Sequence, residues 1–324
     1  MQNYNHYLNL INEAIGNIRY PEQPAQLYAP IAYTMSLGGK RIRPVLTLMT
    51  CEAMGGDPSH AINAALGIEL FHNFTLLHDD VMDRALVRRG KPTVHVKWND
   101  NVAILSGDAM LTMATQIVSR VDDDLLRPIL DLFNTTAMEI YEGQQWDMDF
   151  EQRSDVTVDE YINMIRLKTS VLLGCACKAG AIVAHADERN ASLIYNMAVN
   201  LGLAFQLQDD YLDVWGDPAT FGKETGGDIS NNKKTFLLIN AMNRATGDDA
   251  TELGQWLNID ESFHEQKIAA VTAIYERLGL KELSRQAIED YSQRAINLLA
   301  QVDMSDDARQ AFQALIAKLI NREK

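Results

Sequence analysis

The feature that most limits the fold of this 324-residue chain is the placement of its prolines. Only 8 occur, none lies between Pro128 and Pro218, and none follows Pro218. Proline interrupts helices and central strands, so such long proline-free stretches suit long helices. Apolar residues in these stretches recur at spacings of three and four, and strict alternation is rare. The sequence therefore predicts an all-α protein.

Two C-terminal helices can be located from this spacing. The first is marked by Ile268, Val271, Ile274, Tyr275 and Leu278. The second is marked by Ala308, Phe312, Leu315 and Leu319, and Ser305 is its predicted N-cap. Loops are expected at 38–39, 88–93 and 216–234, where glycine and polar residues cluster. No shift in composition marks a boundary, which predicts a single domain over residues 1–324.

Charge and cysteine content exclude several classes of protein. Lys and Arg total 29 against 44 Asp and Glu, and a net charge of −15 repels nucleic acid and anionic membrane surfaces. No uncharged apolar run reaches the length of a membrane span, and the N-terminus has no signal-peptide pattern. The three cysteines, Cys51, Cys175 and Cys177, form no CxxC motif, and their odd number argues against a disulfide framework. We therefore expect a cytoplasmic protein with no nucleic-acid partner.

One motif occurs twice, as Asp-Asp-Val-Met-Asp at 79–83 and as Asp-Asp-Tyr-Leu-Asp at 209–213. On a helix, the carboxylates at the first and fifth positions of each motif share one face and repel each other. A solvated acidic face is one interpretation. The other is Mg²⁺, which commonly binds one or two carboxylates together with substrate phosphates. The matched pair favours a magnesium site for a diphosphate, built from Asp79, Asp80, Asp83, Asp209, Asp210 and Asp213.

Basic residues accompany both motifs in this acidic chain. They occur in Gly-Gly-Lys-Arg-Ile-Arg-Pro at 38–44, in Arg-Arg-Gly-Lys-Pro at 88–92, at Lys168, and at Lys223, Lys233 and Lys234. Arginine forks and lysine point charges suit phosphate oxygens. His72 lies seven residues before Asp79, nearly on the same helix face, and either contacts substrate or is a buried core residue.

Together these motifs resemble the trans-isoprenyl diphosphate synthase family. The matching segments are GGKRIRP at 38–44, DDVMD at 79–83 with RRG at 88–90, GQ at 143–144, KT at 168–169, FQLQDD at 205–210 and FGKETGGDI at 221–229. The resemblance implies antiparallel helices around a central cavity, the isoprenoid synthase type I fold, and a homodimer. It leaves the roles of Gln144 and Asp147 open.

The resemblance also implies the site. Three Mg²⁺ ions are expected on Asp79, Asp83 and Asp209, supported by Asp80, Asp210 and Asp213. The allylic diphosphate would contact Arg88, Lys168, Thr169, Gln206, Lys223 and Lys233. Isopentenyl diphosphate would contact Lys40, Arg43, His72 and Arg89. Catalysis would follow from stabilising the departing diphosphate, so that the allylic C–O bond ionises and the isopentenyl double bond attacks the cation.

Product length is expected to depend on the helix before the first motif. Phe74, Phe71 and Ile68 lie 5, 8 and 11 residues before Asp79 and form a slowly winding stripe. Phe74 lies about 7.5 Å below Asp79 at the helical rise per residue, where its ring would close the cavity. With the small Thr75 beside it, this pattern resembles short-chain synthases and favours a C20 product over C15. Alternatively, Phe74 only packs the core.

Other functions remain open at this point. A medium- or long-chain polyprenyl diphosphate synthase would use the same chemistry. Terpene cyclases generally carry a different second metal motif, and head-to-head condensing enzymes such as squalene synthases lack GGKRIRP. A noncatalytic helical subunit of a synthase is the alternative from a different class, and the intact carboxylates argue against it.

Overall fold

The computed structural model describes residues 1–217 and 225–320, and helices dominate them. The longer helices are α1 (Tyr4–Gly16), α2 (Ala25–Ser36), α3 (Ile42–Ala53), α4 (Ile62–Met82), α6 (Asp100–Val118), α7 (Asp123–Glu151), α8 (Val158–Ile165), α9 (Val171–Val183), α10 (Glu188–Trp215), α12 (Phe236–Arg244), α13 (Gly247–Leu257), α14 (His264–Arg277), α15 (Leu280–Leu299) and α16 (Asp306–Ile320). Short elements are α5 (Val94–Lys97), α11 (Gly227–Ser230), 3₁₀ turns at Pro58–Ala61 and Glu261–Phe263, and a π-helical turn at Arg166–Ser170. The all-α prediction is confirmed.

Both C-terminal helices lie where the apolar spacing predicts them. In α14 the buried residues include Val271, Ile274 and Tyr275. Helix α16 begins at Asp306, and the amide of Ala308 donates to Ser305 Oγ at 3.2 Å, which confirms the predicted N-cap.

The loop predicted at 88–93 is wrong in part, because a hairpin occupies it. Strand β1 (Val87–Arg88) pairs antiparallel with β2 (Lys91–Pro92), with Arg88 opposite Lys91. Arg89 and Gly90 form the turn with φ values of 52° and 73°, the positive pair that a type I′ hairpin turn requires. Two-residue strands are too short to produce a recognisable alternation.

The chain divides into two compact units. Unit 1 comprises 1–135, 175–195 and 303–311, and unit 2 comprises 136–174, 196–302 and 312–324. The chain passes from one unit to the other at five points, and four of these points lie within helices, namely α7, α9, α10 and α16. The single domain over 1–324 stays a prediction.

Unit 1 is built around α4, which is apolar on most of its circumference and contacts α6 most extensively. The two helices approach closely at Gly67, where a Cβ would lie 2.9 Å from the carbonyl oxygen of Ala114. Gly180 of α9 similarly lies against the Thr47 carbonyl of α3. The three cysteines are buried in this unit. None of the helices in the described residues combines the length and apolarity that crossing a membrane requires.

Unit 2 contains most of α10, the helices α11 to α15, and the segment 136–174 with α8 and the π-helical turn. Its apolar core includes Ile229, Leu237, Leu253, Ile274 and Leu280. The π-helical turn packs on two glycines. A Cβ at Gly143 of α7 would lie 2.3 Å from the Lys168 amide nitrogen, and one at Gly202 of α10 would lie 2.7 Å from Ser170 Cβ. These contacts fix the turn that carries Lys168 and Thr169.

Candidate active site

The first carboxylate motif lies at the C-terminal end of α4. The helix stops at Met82, because Asp83 is its C-cap and Arg84 takes a φ of 53°. Asp79 is half-buried and Asp83 is exposed, whereas Asp80 is buried. The carboxylates at the first and fifth positions of the motif are thus the accessible pair, as their helical spacing predicts.

Asp80 is held by Arg88 from the β1–β2 hairpin. Arg88 Nε donates to both Asp80 oxygens at 2.8 Å, and Arg88 Nη2 lies 2.7 Å from Asp80 Oδ1. Such a charge-assisted contact is strong when water is largely excluded. Arg88 therefore ties the hairpin to the end of α4.

The four residues predicted to hold isopentenyl diphosphate lie along one cavity of unit 1. The cavity has a volume of about 450 Å³, and its lining includes Lys40, Arg43, His72 and Arg89. Gly38 and Gly39 shape its edge with φ values of 77° and 130°, and a Cβ at Gly39 would meet the Arg89 guanidinium at 3.0 Å. Glycine is favoured at both positions because L side chains are strained at these positive φ values.

The electrostatics of this cavity favour an anion. Arg43 Nη1 lies 3.2 Å from His72 Nε2. Desolvation, and then the nearby arginines led by Arg43, lower the pKa of His72 well below its usual value, so the imidazole is neutral. Desolvation also lowers the pKa of Arg43 to about 10, with a further contribution from Arg89. The buried Nε of Arg43 has no hydrogen-bond partner among the described residues, so it can donate to a ligand.

A buried ion pair supports the cavity and was not predicted. Arg41 is the N-cap residue of α3 and has a φ of 49°, and its Nη1 lies 2.6 Å from Glu69 Oε1. Both side chains are 3% exposed. Glu69 also accepts from Asn73 Nδ2 at 3.0 Å. A carboxylate in the apolar run of α4 was the only sequence signal for this pair.

The second motif lies near the C-terminal end of α10. Asp209 is half-buried, and the buried Asp210 accepts a short hydrogen bond from the Tyr161 hydroxyl. Gln206 Nε2 also donates to Asp210 Oδ1, at 3.3 Å. Burial, and then the charge of Asp228, raise the pKa of Asp210 to about 7. In both motifs the second aspartate is therefore buried and hydrogen-bonded.

Asp228 adds a fourth carboxylate beside the three of this motif. Its backbone amide donates to Asp213 Oδ2 at 3.0 Å, and its Oδ1 lies 4.0 Å from Lys233 Nζ. Burial and then the charge of Asp228 raise the pKa of Asp213 to about 6. The motif FGKETGGDI contains Asp228, so the sequence carried a signal for it. Lys223, the other predicted lysine of this segment, lies outside the described residues.

Lys168 lies in the π-helical turn and pairs with Asp147 of α7. Lys168 Nζ is 2.5 Å from Asp147 Oδ2, and the two side chains are 24% and 18% exposed. Asp147, whose role the sequence left open, thus contacts a predicted site residue. Thr169 follows in the same turn and is half-buried.

The residues predicted to limit the length of the product form a row of aromatic rings in unit 1. Phe74 and Phe71 are buried, with ring centroids 5.5 Å apart, and Phe71 meets Phe133 of α7 at 5.2 Å. On its other side Phe74 meets His78 at 4.8 Å.

The donor chemistry of both motifs fits magnesium. Among residues 1–217 and 225–320, no three His, Cys, Asp or Glu side chains are placed to hold a metal ion unaided. Magnesium commonly keeps waters and completes its oxygen shell with substrate phosphates. The raised pKa values of Asp210 and Asp213 come from burial and from Asp228, a condition that a divalent cation relieves.

Comparison with known sequences agrees with this interpretation. A sequence model described as polyprenyl synthetase matches residues 24–276. The short chain isoprenyl diphosphate synthase of Methanothermobacter thermautotrophicus is 38% identical over 314 residues, covering 97% of this chain and 94% of the relative. The geranylfarnesyl diphosphate synthase of Aeropyrum pernix is 33% identical, covering 93% and 96%.

Solved structures show the same fold. A crystal structure of a geranylgeranyl pyrophosphate synthase superposes with a TM-score of 0.95 at 45% identity and covers 100% of both chains. A polyprenyl synthase from Caulobacter crescentus CB15, complexed with calcium and isoprenyl diphosphate, gives 0.87 at 27% identity, covering 99% of this chain and 96% of that chain.

The fold and the paired motifs define an all-α prenyltransferase of the isoprenoid synthase type. The chain belongs to the polyprenyl synthetase family. Its similarity to short-chain and geranylgeranyl diphosphate synthases shows that it is a short-chain enzyme. The family is magnesium-dependent.

Proposed function

We propose that this prenyltransferase condenses isopentenyl diphosphate with an allylic diphosphate of C5, C10 or C15 and favours a C20 all-trans product over C15. The observation that carries the proposal is the cavity lined by Lys40, Arg43, His72 and Arg89. Besides the Arg41–Glu69 ion pair, its lining offers three cations and a neutral imidazole, which suit the diphosphate of a substrate that binds through side chains.

The allylic diphosphate binds through magnesium at the two carboxylate motifs. Asp79, Asp83 and Asp209 would hold three ions, with Asp80, Asp210 and Asp213 in support. Magnesium supplies charge neutralisation for the leaving diphosphate. The remaining contacts come from Arg88, Lys168, Thr169, Gln206, Lys223 and Lys233. The pairing of Lys168 with Asp147 supports this role, because it holds the ammonium at a defined position.

The chain's own residues promote the reaction through charge. Lys168 and Arg88 stabilise the negative charge that develops as the allylic C–O bond breaks. The isopentenyl double bond then attacks the allylic cation, and a proton leaves to the released diphosphate. No side-chain nucleophile takes part. The apolar rings of Phe74 and Phe71 keep water from the cation.

Phe74 limits the product, with Phe71 behind it. The burial of both rings and their contact with Phe133 support a closed floor. Similarity to the geranylgeranyl pyrophosphate synthase structure, with a TM-score of 0.95, supports a C20 product. The geranylfarnesyl diphosphate synthase of Aeropyrum pernix is named for a product that is one isoprene unit longer.

Product analysis tests chemistry and length together. Purified enzyme is incubated with Mg²⁺, isopentenyl diphosphate and each allylic primer, and products are sized by mass spectrometry. A dominant C20 product is expected, and Phe74→Ala should lengthen it. Phe236→Ala, which removes a ring of equal size from the buried side of α12, controls for general loosening. Absence of elongation from every primer would contradict the activity, and unchanged length in Phe74→Ala would contradict the floor.

Steady-state kinetics test the isopentenyl site separately. Arg43→Gln should raise KM for isopentenyl diphosphate about tenfold or more, as loss of a charged hydrogen bond does, and leave KM for the allylic substrate nearly unchanged. Arg19→Gln, an exposed arginine outside this cavity, is the matched control. Equal increases in both KM values would contradict the assignment.

A homodimer is also part of the proposal. Exposed apolar side chains on β1 and α6 support it, since Val87, Ile104 and Leu105 are 62%, 45% and 59% exposed. Leu105→Glu should give a monomer in light scattering, whereas Ile259→Glu, at another exposed apolar residue, should not.

The cytoplasm is the proposed location, supported by three buried thiols. Cell fractionation tests it.

A further inference from the structure

His78, the residue directly before the first carboxylate motif, contacts the ring proposed as the cavity floor. Its imidazole lies 4.8 Å from the Phe74 ring, centroid to centroid, at an interplanar angle of 67°. This edge-to-face arrangement is a favourable aromatic geometry. The two residues lie one helical turn apart on α4 and so share a face.

The imidazole is also fixed from the side of α6. His78 Nε2 lies 3.0 Å from the carbonyl oxygen of Ile104. A carbonyl only accepts, so Nε2 carries the proton and donates. Asp108 Oδ1 lies 4.0 Å from the same nitrogen, beyond hydrogen-bond distance.

Gly107 makes the space for this ring. A Cβ at Gly107 would lie 2.1 Å from His78 Nε2 and 2.4 Å from Cδ2. The ring therefore occupies the volume that any other residue at position 107 would fill. It is held by a hydrogen bond, by the α6 backbone and by Phe74, and only 19% of the side chain is exposed.

We propose that His78 is a positioning residue for product length, that it holds the Phe74 ring in place across the growing chain, and that Gly107 is required for it. The inference rests on the proposed role of Phe74 as the floor. The ring row then runs from His78 through Phe74 and Phe71 to Phe133, so it is supported at both ends. Without His78, Phe74 can rotate aside and longer products can pass.

The test compares product distributions of the full-length enzyme with Phe74→Ala, His78→Ala, Gly107→Ala and the double variant H78A/G107A. His78→Ala should raise the ratio of products longer than C20 to C20 about threefold or more, the ratio expected for loss of an ordinary aromatic contact. Gly107→Ala should shift it in the same direction, because its methyl group expels the imidazole. The double variant should match His78→Ala and be more stable than Gly107→Ala, since the clash is gone.

Gly67→Ala is the matched control, because its Cβ would strain the same α4–α6 contact at Ala114 without touching a ring of the row. It should lower the melting temperature and leave the product ratio unchanged. If Phe74→Ala lengthens the product but His78→Ala leaves the product ratio unchanged, the role of His78 is overturned and Phe74 remains the cavity floor. Unchanged length in Phe74→Ala itself would overturn both. His78→Gln, which keeps a donor but no ring, should also lengthen products if His78→Ala proves unstable.

Discussion

Both carboxylate oxygens of Asp80 accept from Nε of Arg88 at 2.8 Å. This contact joins the end of α4 to the β1–β2 hairpin, and the same hairpin carries Arg89 into the cationic cavity. The hairpin therefore links the carboxylate motif to the predicted isopentenyl site within unit 1.

Breaking this pair should cost stability as well as activity. Arg88→Ala leaves Asp80 buried with its main partner gone, and about 2 kcal/mol of unfolding free energy should be lost, less than for a fully buried pair because Arg88 is 29% exposed. The turnover number should fall about 100-fold. Chemical denaturation and steady-state kinetics measure the two effects. Arg84→Ala, whose ion pair with Asp100 is exposed, should cost less than about 0.5 kcal/mol. Equal losses in both variants would contradict the prediction.

His72 should make the enzyme less stable in acid. Its pKa is lowered in the folded state by desolvation and by Arg43, so below the ordinary value of about 6.5 the unfolded chain binds a proton that the folded protein excludes. This residue's contribution to stability is complete above that pH and is lost as the pH falls. The slope should reach at most about 1.4 kcal/mol per pH unit.

Denaturation midpoints of wild type and His72→Gln between pH 5 and 8 measure this effect. The variant should lose less stability than wild type as the pH falls, because glutamine does not titrate. Parallel curves would show that His72 binds its proton equally well in the folded and unfolded protein, which would contradict the prediction. His185→Gln is the control, since that histidine lies on the surface with 64% of its side chain exposed.

Gly143 should tolerate no side chain. A Cβ there would lie 2.3 Å from the Lys168 amide nitrogen, so Gly143→Ala must displace the π-helical turn. We expect at least about 2 kcal/mol of destabilisation and a clear loss of turnover. Gly254→Ala, in α13 with open space around it, should instead stabilise by about 0.5 kcal/mol through helix propensity. Thermal melting and kinetics distinguish these outcomes, and a neutral Gly143→Ala would argue against the packing described.

Tyr161→Phe should test the support of the second motif. The substitution removes the hydroxyl that donates to Asp210 and leaves Gln206 as its side-chain donor among the described contacts. Loss of this buried hydrogen bond should cost about 1.5 to 3 kcal/mol at a pH above the pKa of Asp210, where the carboxylate is charged. Tyr33→Phe removes a more exposed hydrogen bond to the Pro92 carbonyl and should cost less. The reverse order of the two losses would be inconsistent with a buried Asp210.

The sequence was most informative where a pattern repeats. Proline spacing and apolar periodicity predicted the helices, and the doubled motif predicted which carboxylates remain accessible, because spacing on a helix fixes which side chains share a face. Residues that contact the site but occur singly in the sequence form no such pattern. Tyr161 and Asp147 meet Asp210 and Lys168 only through tertiary packing.

Two further features depend on local chain geometry. The β1–β2 hairpin was missed because each strand has two residues, and its turn uses Arg89 where glycine or asparagine is more usual. The π-helical turn at Arg166–Ser170 was missed because no composition distinguishes it from an α-helix. Its position is set by the contacts of Gly143 and Gly202 with its backbone and Ser170.

The π-helical turn also makes the residue count of this segment important. A π turn holds more residues than an α turn, so a single deletion between Tyr161 and Val171 would let the helix close into regular α geometry. The side chains on either side of the deletion would then keep their directions, but the wide turn that carries Lys168 and Thr169 would be lost. Insertions and deletions in homologous chains should therefore avoid this segment, even where substitutions are accepted.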